Sequence, residues 1–444
     1  MVNGFDLMAE NSTPLSGQLK RSLGTFALII YGIGDILGAG IYVLIGKVAG
    51  AVGPACWLSF GVAFFVASIT GLTYSELGTR FPHSAGESVY SLQAFRKRLL
   101  SYLVGFLVLL SGMVSMATVA RGFSGYVQAV LPEMPEFLII PAFLLVLAVI
   151  NFWGIRQSSI INIICTTIEV AGLVIVIAAG MQYFGGVDYL SVHPAEGVSV
   201  HVALLQGGIL AFYAFIGFED IVNVAEETQQ PSKTIPRAIT VALITTSVCY
   251  MLTAIAAVSA VPPSELSASS APLMLVVERG FPDIPRELFT LIALFAVTNT
   301  ALINFIMSSR ILYGMSRKRL VSAVLGRIHL KRQTPYFAIM VTFVIVIVLA
   351  LTEGLEILAQ STSFLLLSVF LLMNLSLIMI KTRSKTIRPP FRVPIWIPIL
   401  GVTSCLILMF FVQLQALLTV FTLILVGIII YIMQKPYLDS HLLR

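Results

Sequence analysis

The residues best able to do chemistry lie in stretches of chain that are otherwise apolar. Glu169 sits inside the run IINIICTTIEVAGLVIVIAAG with Asn162 and Thr166, an i, i+4, i+7 series that shares one face of a helix. Thr300, Asn304 and Ser308 make a second stripe, at i, i+4, i+8, in another apolar run. Polar and ionisable groups within hydrocarbon rarely point at lipid, so the two stripes are expected to face each other or a cavity. A carboxyl group in such a place can carry a proton, hold a cation while charged, or act as a hydrogen-bonded structural acid.

A second kind of chemistry belongs to the backbone. Five glycines crowd YGIGDILGAGIYVLIG (residues 31–46), with Asp35 among them, and AFYAFIGFED (211–220) places Glu219 and Asp220 just after Gly217. Neither stretch makes a good continuous helix. Where a helix unwinds in a membrane, its freed N–H and C=O groups need partners, since hydrocarbon offers none. A ligand can be that partner. A half-helix starting after Gly38 would aim its N–H groups and positive dipole end at an anion, while carbonyls released around Tyr213 to Ile216 would accept from a cation. A small zwitterion such as an amino acid suits both. Close packing of small residues at Gly38-Ala39-Gly40, and an ordinary helix end at Gly217, are the simpler alternatives.

The elements that must position these groups follow from composition. Of 444 residues, 58% are hydrophobic and 11% charged, and the mean hydropathy is +0.96, which excludes a water-soluble globule. Apolar runs of about 20 residues, each enough to cross a bilayer as a helix, begin near residues 25, 54, 99, 137, 158, 200, 236, 288, 335, 354, 393 and 415. The expectation is an all-α polytopic membrane protein with twelve transmembrane helices, of which the first and sixth are discontinuous. The two broken helices lie five spans apart, so two five-span halves (25–185 and 200–383) would be inverted repeats, a pattern that builds a site at the midplane. Two further helices would occupy 393–434, between tails at 1–24 and 435–444.

The net charge of +6 reports topology, not nucleic acid. On this twelve-span reading 23 of the 27 Lys and Arg fall on one side, three on the other, and Arg121 inside the third span, which puts both termini in the cytoplasm. The four cysteines lie in or beside apolar runs without metal spacing and read as packing thiols, and the five histidines form no metal pattern. A phosphate-binding loop for ATP and a nucleophile–base pair of the kind a membrane acyltransferase needs are both missing from the sequence, so an enzyme is not expected, nor a cofactor. A channel would need a continuous polar lining.

The motifs resemble those of the amino acid-polyamine-organocation (APC) transporters, which share the leucine-transporter (LeuT) fold. GAGIYVLIG is similar to that family's first helix, FYAFIGFEDIVNVAEETQQPSKTIPRAI to its sixth helix and following loop, and SSRILYGMSRKRL with TPY to its eighth helix and loop. The likeness runs in order from about residue 20 to 410, and the VLIGKVAG continuation is closest in wording to the cationic amino acid transporter branch and its bacterial relatives. It implies an amino acid permease of the plasma membrane, working by alternating access with amino acids and protons as its small partners. Carried over, the family's carboxylate-binding amides would be those of Ala39, Gly40 and Ile41 beside Gly38. Its ammonium-binding carbonyls would include Ile36, Tyr213, Ala214 and Ile216, and Tyr213 would close over the substrate. Several sodium-independent members place a lysine where this chain has Glu169, near the residues matching Thr300 and Asn304, so their coupling mechanism does not transfer directly. Glu169 is expected to be a protonation switch, with Asp35 as a second negative group; a bound sodium and a structural acid are the alternatives. Some members bond a glycoprotein through a loop cysteine between the third and fourth spans. That loop here reads QAVLPEMPEF, so no disulfide-linked subunit is expected.

Overall fold

A computed structural model describes residues 23–82, 86–153, 159–194, 197–317, 321–332, 334–383 and 389–439. The tail before residue 23, Arg156, and the side chains of Asn162 and Cys165 lie outside the described residues. The described chain is almost wholly helical, with one isolated backbone bridge, between Leu23 and Thr228. The helices are α1 (Thr25–Ile36), α2 (Ala39–Val52), α3 (Cys56–Arg80), α4 (Gly86–Phe95), α5 (Arg98–Val130), α6 (Glu136–Trp153), α7 (Ser159–Met181) and α8 (Val200–Phe212), followed by α9 (Pro231–Ala260), α10 (Pro263–Ala268), α11 (Pro272–Gly280), α12 (Arg286–Arg317), α13 (Tyr336–Thr352), α14 (Leu355–Arg383), α15 (Trp396–Phe410) and α16 (Leu414–Asp439).

Among the described residues seven helices are each long and apolar enough to cross a membrane, the stretch Val200–Glu227 counted as one of them. The number is nine if each of two bent pairs makes one crossing: α1 with α2, bent by 43°, and α15 with α16, bent by 111°. Two apolar stretches, Thr166–Met181 and Tyr336–Thr352, are shorter. The runs that begin near residues 25 and 200 each fall on a broken helical stretch, and the other ten begin on a helix or within three residues of one. The chain is a multi-pass membrane protein.

Hydrophobicity cannot drive helices together in lipid, so close approach and polar contacts do that work. A Cβ on Gly180 would lie 2.5 Å from the Cβ of Ala256, and one on Gly280 would lie 2.4 Å from the carbonyl oxygen of Ala179. These glycines let α7 pack against α9 and α11. At the other end of the bundle, fully buried Glu76 of α3 accepts from Arg80 at 2.6 Å, from Lys381 of α14 at 2.7 Å and from the Val393 amide at 2.8 Å. This cluster clamps α3, α14 and the segment entering α15, and removing one member of such a buried group costs about 3–5 kcal/mol.

Candidate functional site

Both expected breaks are present. α1 ends when the Leu37 amide bonds to the Ile33 carbonyl at 2.8 Å, and Gly38, with ψ of −149°, turns the chain so that α2 starts anew at Ala39. In the second break a single helical turn, Tyr213–Phe215, follows α8. Ile216 is extended and Gly217 has φ of +123°, a conformation L side chains rarely adopt, before a tighter helical stretch, Phe218–Glu227. The two breaks touch. A Cβ on Gly40 would meet the Cα of Ala214 at 2.5 Å, and one on Gly217 would meet the Asp35 carbonyl oxygen at 2.8 Å.

Between them lies a cavity of about 40 Å³, lined in part by Asp35, Ile36, Gly38, Ala39, Gly40, Tyr213, Ala214, Ile216, Thr300 and Asn304. Of the twelve residues named for substrate and coupling, all but Ile41 and Glu169 therefore border one space, whereas Thr166, Ser308 and Glu219 do not. Ile41 is wholly buried in the first turn of α2, and Glu169 is wholly buried on α7 behind the break.

The donors and acceptors around the cavity are partly spoken for. The Ala39 amide donates to Thr300 Oγ1 at 2.9 Å, and the next two amides of α2, Gly40 and Ile41, lie in the first turn, where a helix offers its own N–H groups no acceptor. The hydroxyl of Tyr250, on α9, reaches the carbonyl of Ala214 at 2.9 Å and that of Ile36. The Tyr213 carbonyl accepts from the Ile216 amide at 3.3 Å. The Tyr213 phenol does not swing free: it lies 2.9 Å from Ser115 Oγ, which in turn accepts from Asn304 Nδ2 at 3.2 Å. Ser115 thus joins α5 to the cavity wall.

Glu169 reaches the break through α12. Its Oε1 accepts from Asn299 Nδ2 at 3.0 Å, and the next residue, Thr300, holds the Ala39 amide. The Tyr42 hydroxyl donates to the Glu169 carbonyl at 2.7 Å, which ties α2 to α7 directly. Glu169 Oε2 and Thr166 Oγ1 are both buried and without a hydrogen bond among the described residues. The Thr166 hydroxyl abuts α1 so closely that a Cβ on Gly34 would lie 1.9 Å from it. No group of three or more His, Cys, Asp or Glu among the described residues could hold a metal ion. Below the cavity Glu219 Oε2 accepts from the Gly217 amide at 2.9 Å and Asp220 Oδ1 from Asn223 at 3.0 Å. Outside the spans, burial pushes the Glu87 carboxyl of α4 up to about 7. Arg121 is paired with Glu136 at 2.7 Å.

Three contributors escape the sequence reading: Tyr250, Ser115 and Asn299. The first two carried a signal that was not used: Tyr250 stands at i, i+4, i+7 with Thr246 and Thr253 on α9, and Ser115 does so with Ser111 and Thr118 on α5. Asn299 could have been found, being beside Thr300, but one residue is a 100° turn and puts it on a different helix face.

Two broken helices that touch around a small cavity are a pattern known from polytopic membrane transporters. This chain belongs to the amino acid permease family of the APC superfamily, whose family model matches residues 23–434. It is 28% identical to the branched-chain amino acid permease BcaP of Bacillus subtilis over 97% of this chain and 96% of that protein. It is also 28% identical to cationic amino acid transporter 4 of Mus musculus, over 86% of this chain but only 62% of that protein's length. A third relative is the methylthioribose transporter of Bacillus subtilis, 25% identical over 89% of this chain and 88% of its own.

Proposed function

We propose that this protein is a proton-coupled secondary transporter that carries amino acids across the plasma membrane by alternating access. In this reading the chain crosses twelve times with both termini in the cytoplasm, and residues 25–185 and 200–383 are inverted five-helix repeats whose broken first and sixth helices hold the substrate. The substrate carboxylate takes the amides of Gly40 and Ile41, with Ala39 joining if Thr300 lets go. The ammonium takes carbonyls of Ile36, Tyr213, Ala214 and Ile216, in competition with the Tyr250 hydroxyl.

The observation that carries the coupling is the half-satisfied state of Glu169: one carboxyl oxygen is held by Asn299 while the other is buried with no partner among the described residues. A buried carboxylate oxygen without a donor is costly, and a proton on it removes the charge. Gaining or losing that proton changes the grip on Asn299, and through the neighbouring Thr300 the grip on the first turn of α2. Asp35, on the cavity wall, adds negative charge beside the same break.

The test is uptake of labelled amino acids into sodium-free proteoliposomes, with and without an inward proton gradient. Accumulation is expected only with the gradient. Glu169→Gln, which keeps the size and the contact to Asn299 but cannot ionise, should lose gradient-driven accumulation by at least about tenfold while still exchanging substrate against a preloaded pool. Accumulation that needs sodium, or a gradient response intact in Glu169→Gln, would sink the proton assignment.

A further inference from the structure

The most basic stretch of the chain takes no part in the site above. Between Arg310 and Pro335 there are seven Lys or Arg and no Asp or Glu. Sidedness of charge accounts for basic residues in a loop, but it does not account for two further features here.

The first is the position of Arg310. It precedes the end of α12 by seven residues, about 10 Å along the helix, and the only acid on that helix, Glu287, is in its opposite end turn. Arg310 is exposed and makes no ion pair or hydrogen bond among the described residues, and neither does the Tyr313 hydroxyl one turn on. Both line a cavity of about 370 Å³ with Ile328 and Pro335, in the corner where α12, the following loop and the start of α13 meet. The second feature is apolar. Ile328 is 42% exposed and Leu330 is 95% exposed, flanked by Arg327, Lys331 and Arg332. Bare aliphatic side chains within a basic loop suit the boundary between headgroups and acyl chains, where long basic side chains extend to the phosphates.

We propose that this corner of α12 and α13 binds the phosphate headgroup of an anionic phospholipid, with Arg310 and Tyr313 as its ligands and Ile328 and Leu330 against the acyl chains. Arg310 supplies a charge with two parallel N–H donors, the geometry that phosphate prefers. Tyr313 adds one more donor. The loop's remaining basic residues enrich anionic lipid nearby, each about fivefold at a charged surface. Arg327 is itself held in place, its guanidinium 5.9 Å from the centre of the Phe337 ring on α13. The inference needs the membrane setting but not the transport reading.

Native mass spectrometry of the full chain in detergent tests it, with phosphatidylglycerol, phosphatidylcholine of the same acyl chains, or inorganic phosphate added. Phosphatidylglycerol should be retained at least about fivefold more than phosphatidylcholine, and Arg310→Gln should remove most of that preference while Arg310→Lys keeps part of it. Equal retention of the two lipids by the unaltered protein, or an undiminished preference in Arg310→Gln, overturns the proposal. Displacement of phosphatidylglycerol by inorganic phosphate at equal concentration also overturns it, by making the corner a site for soluble anions. Leu330→Ser, at a position too exposed to disturb folding, should lower phosphatidylglycerol retention as well, and unchanged retention there overturns the lipid assignment. Amino acid uptake is a separate readout, so failure here and failure of the transport reading are distinguishable.

Discussion

A phenol has one proton to give, and Tyr250 lies within reach of two carbonyls, those of Ile36 and Ala214, one from each helix break. At any moment one of them is without its donor, which is the condition under which a cationic ligand gains most from entering. Tyr250→Phe keeps the ring, with its edge-on contact to Phe215 at 5.2 Å between centroids, and deletes only the hydroxyl. Leaving both carbonyls without that donor should lower stability by about 1–3 kcal/mol. An ammonium replaces the lost donor, so a bound substrate should stabilise the variant by more than it stabilises the unaltered protein. Thermal unfolding of the purified protein, with and without a mixture of amino acids, reads both effects; an unchanged midpoint in Tyr250→Phe would remove Tyr250 from the account. The carbonyls themselves could be anticipated, because glycine clusters in apolar runs advertise unwound backbone. The role of Tyr250 could not, since the stripe it forms with Thr246 and Thr253 marks a polar helix face without saying which backbone that face will cap.

Helix α2 meets the second break at Gly40, where the space for a side chain is filled by the backbone of Ala214. Gly40→Ala must therefore push two main chains apart, and neither can yield without disturbing the cavity between them. Overpacking of this kind costs about 1–3 kcal/mol. The variant is expected to reach the membrane yet lose most substrate binding, measured by scintillation proximity on the purified protein. Gly314→Ala, at a glycine with nothing within 4 Å of the added carbon, is the matched control and should bind normally. Equal binding by the two variants would show that the contact between breaks is not part of the site. Helix positions were legible because apolar length sets them. Which helices pair across the bundle was not, because small residues permit close packing without naming a partner: Gly34 fits α7 only because Thr166 happens to face it.

The whole molecule raises the question of sidedness, which the charge pattern and the helices approach from different directions. Leu190, 70% exposed, lies in the loop between α7 and α8, and Val324, 39% exposed, lies in the loop after α12. Three crossings separate them on the twelve-span reading: the broken Val200–Glu227 stretch, α9, and α12. An odd number of crossings puts the two loops on opposite sides, whereas a broken stretch that turned back like a re-entrant loop would put them on the same side. The basic residues agree with the first arrangement, since the loop holding Val324 is rich in them and the loop holding Leu190 has none. Single cysteines at these two positions, in a background with the four native cysteines replaced, separate the cases. With a membrane-impermeant maleimide, Leu190→Cys should label in right-side-out vesicles and Val324→Cys only in inside-out vesicles. Labelling of both from one side would mean that one of the three crossings is incomplete. The inverted repeat would then fail with it, because two halves of five crossings each are what turn the second break upside down relative to the first and bring both to one cavity.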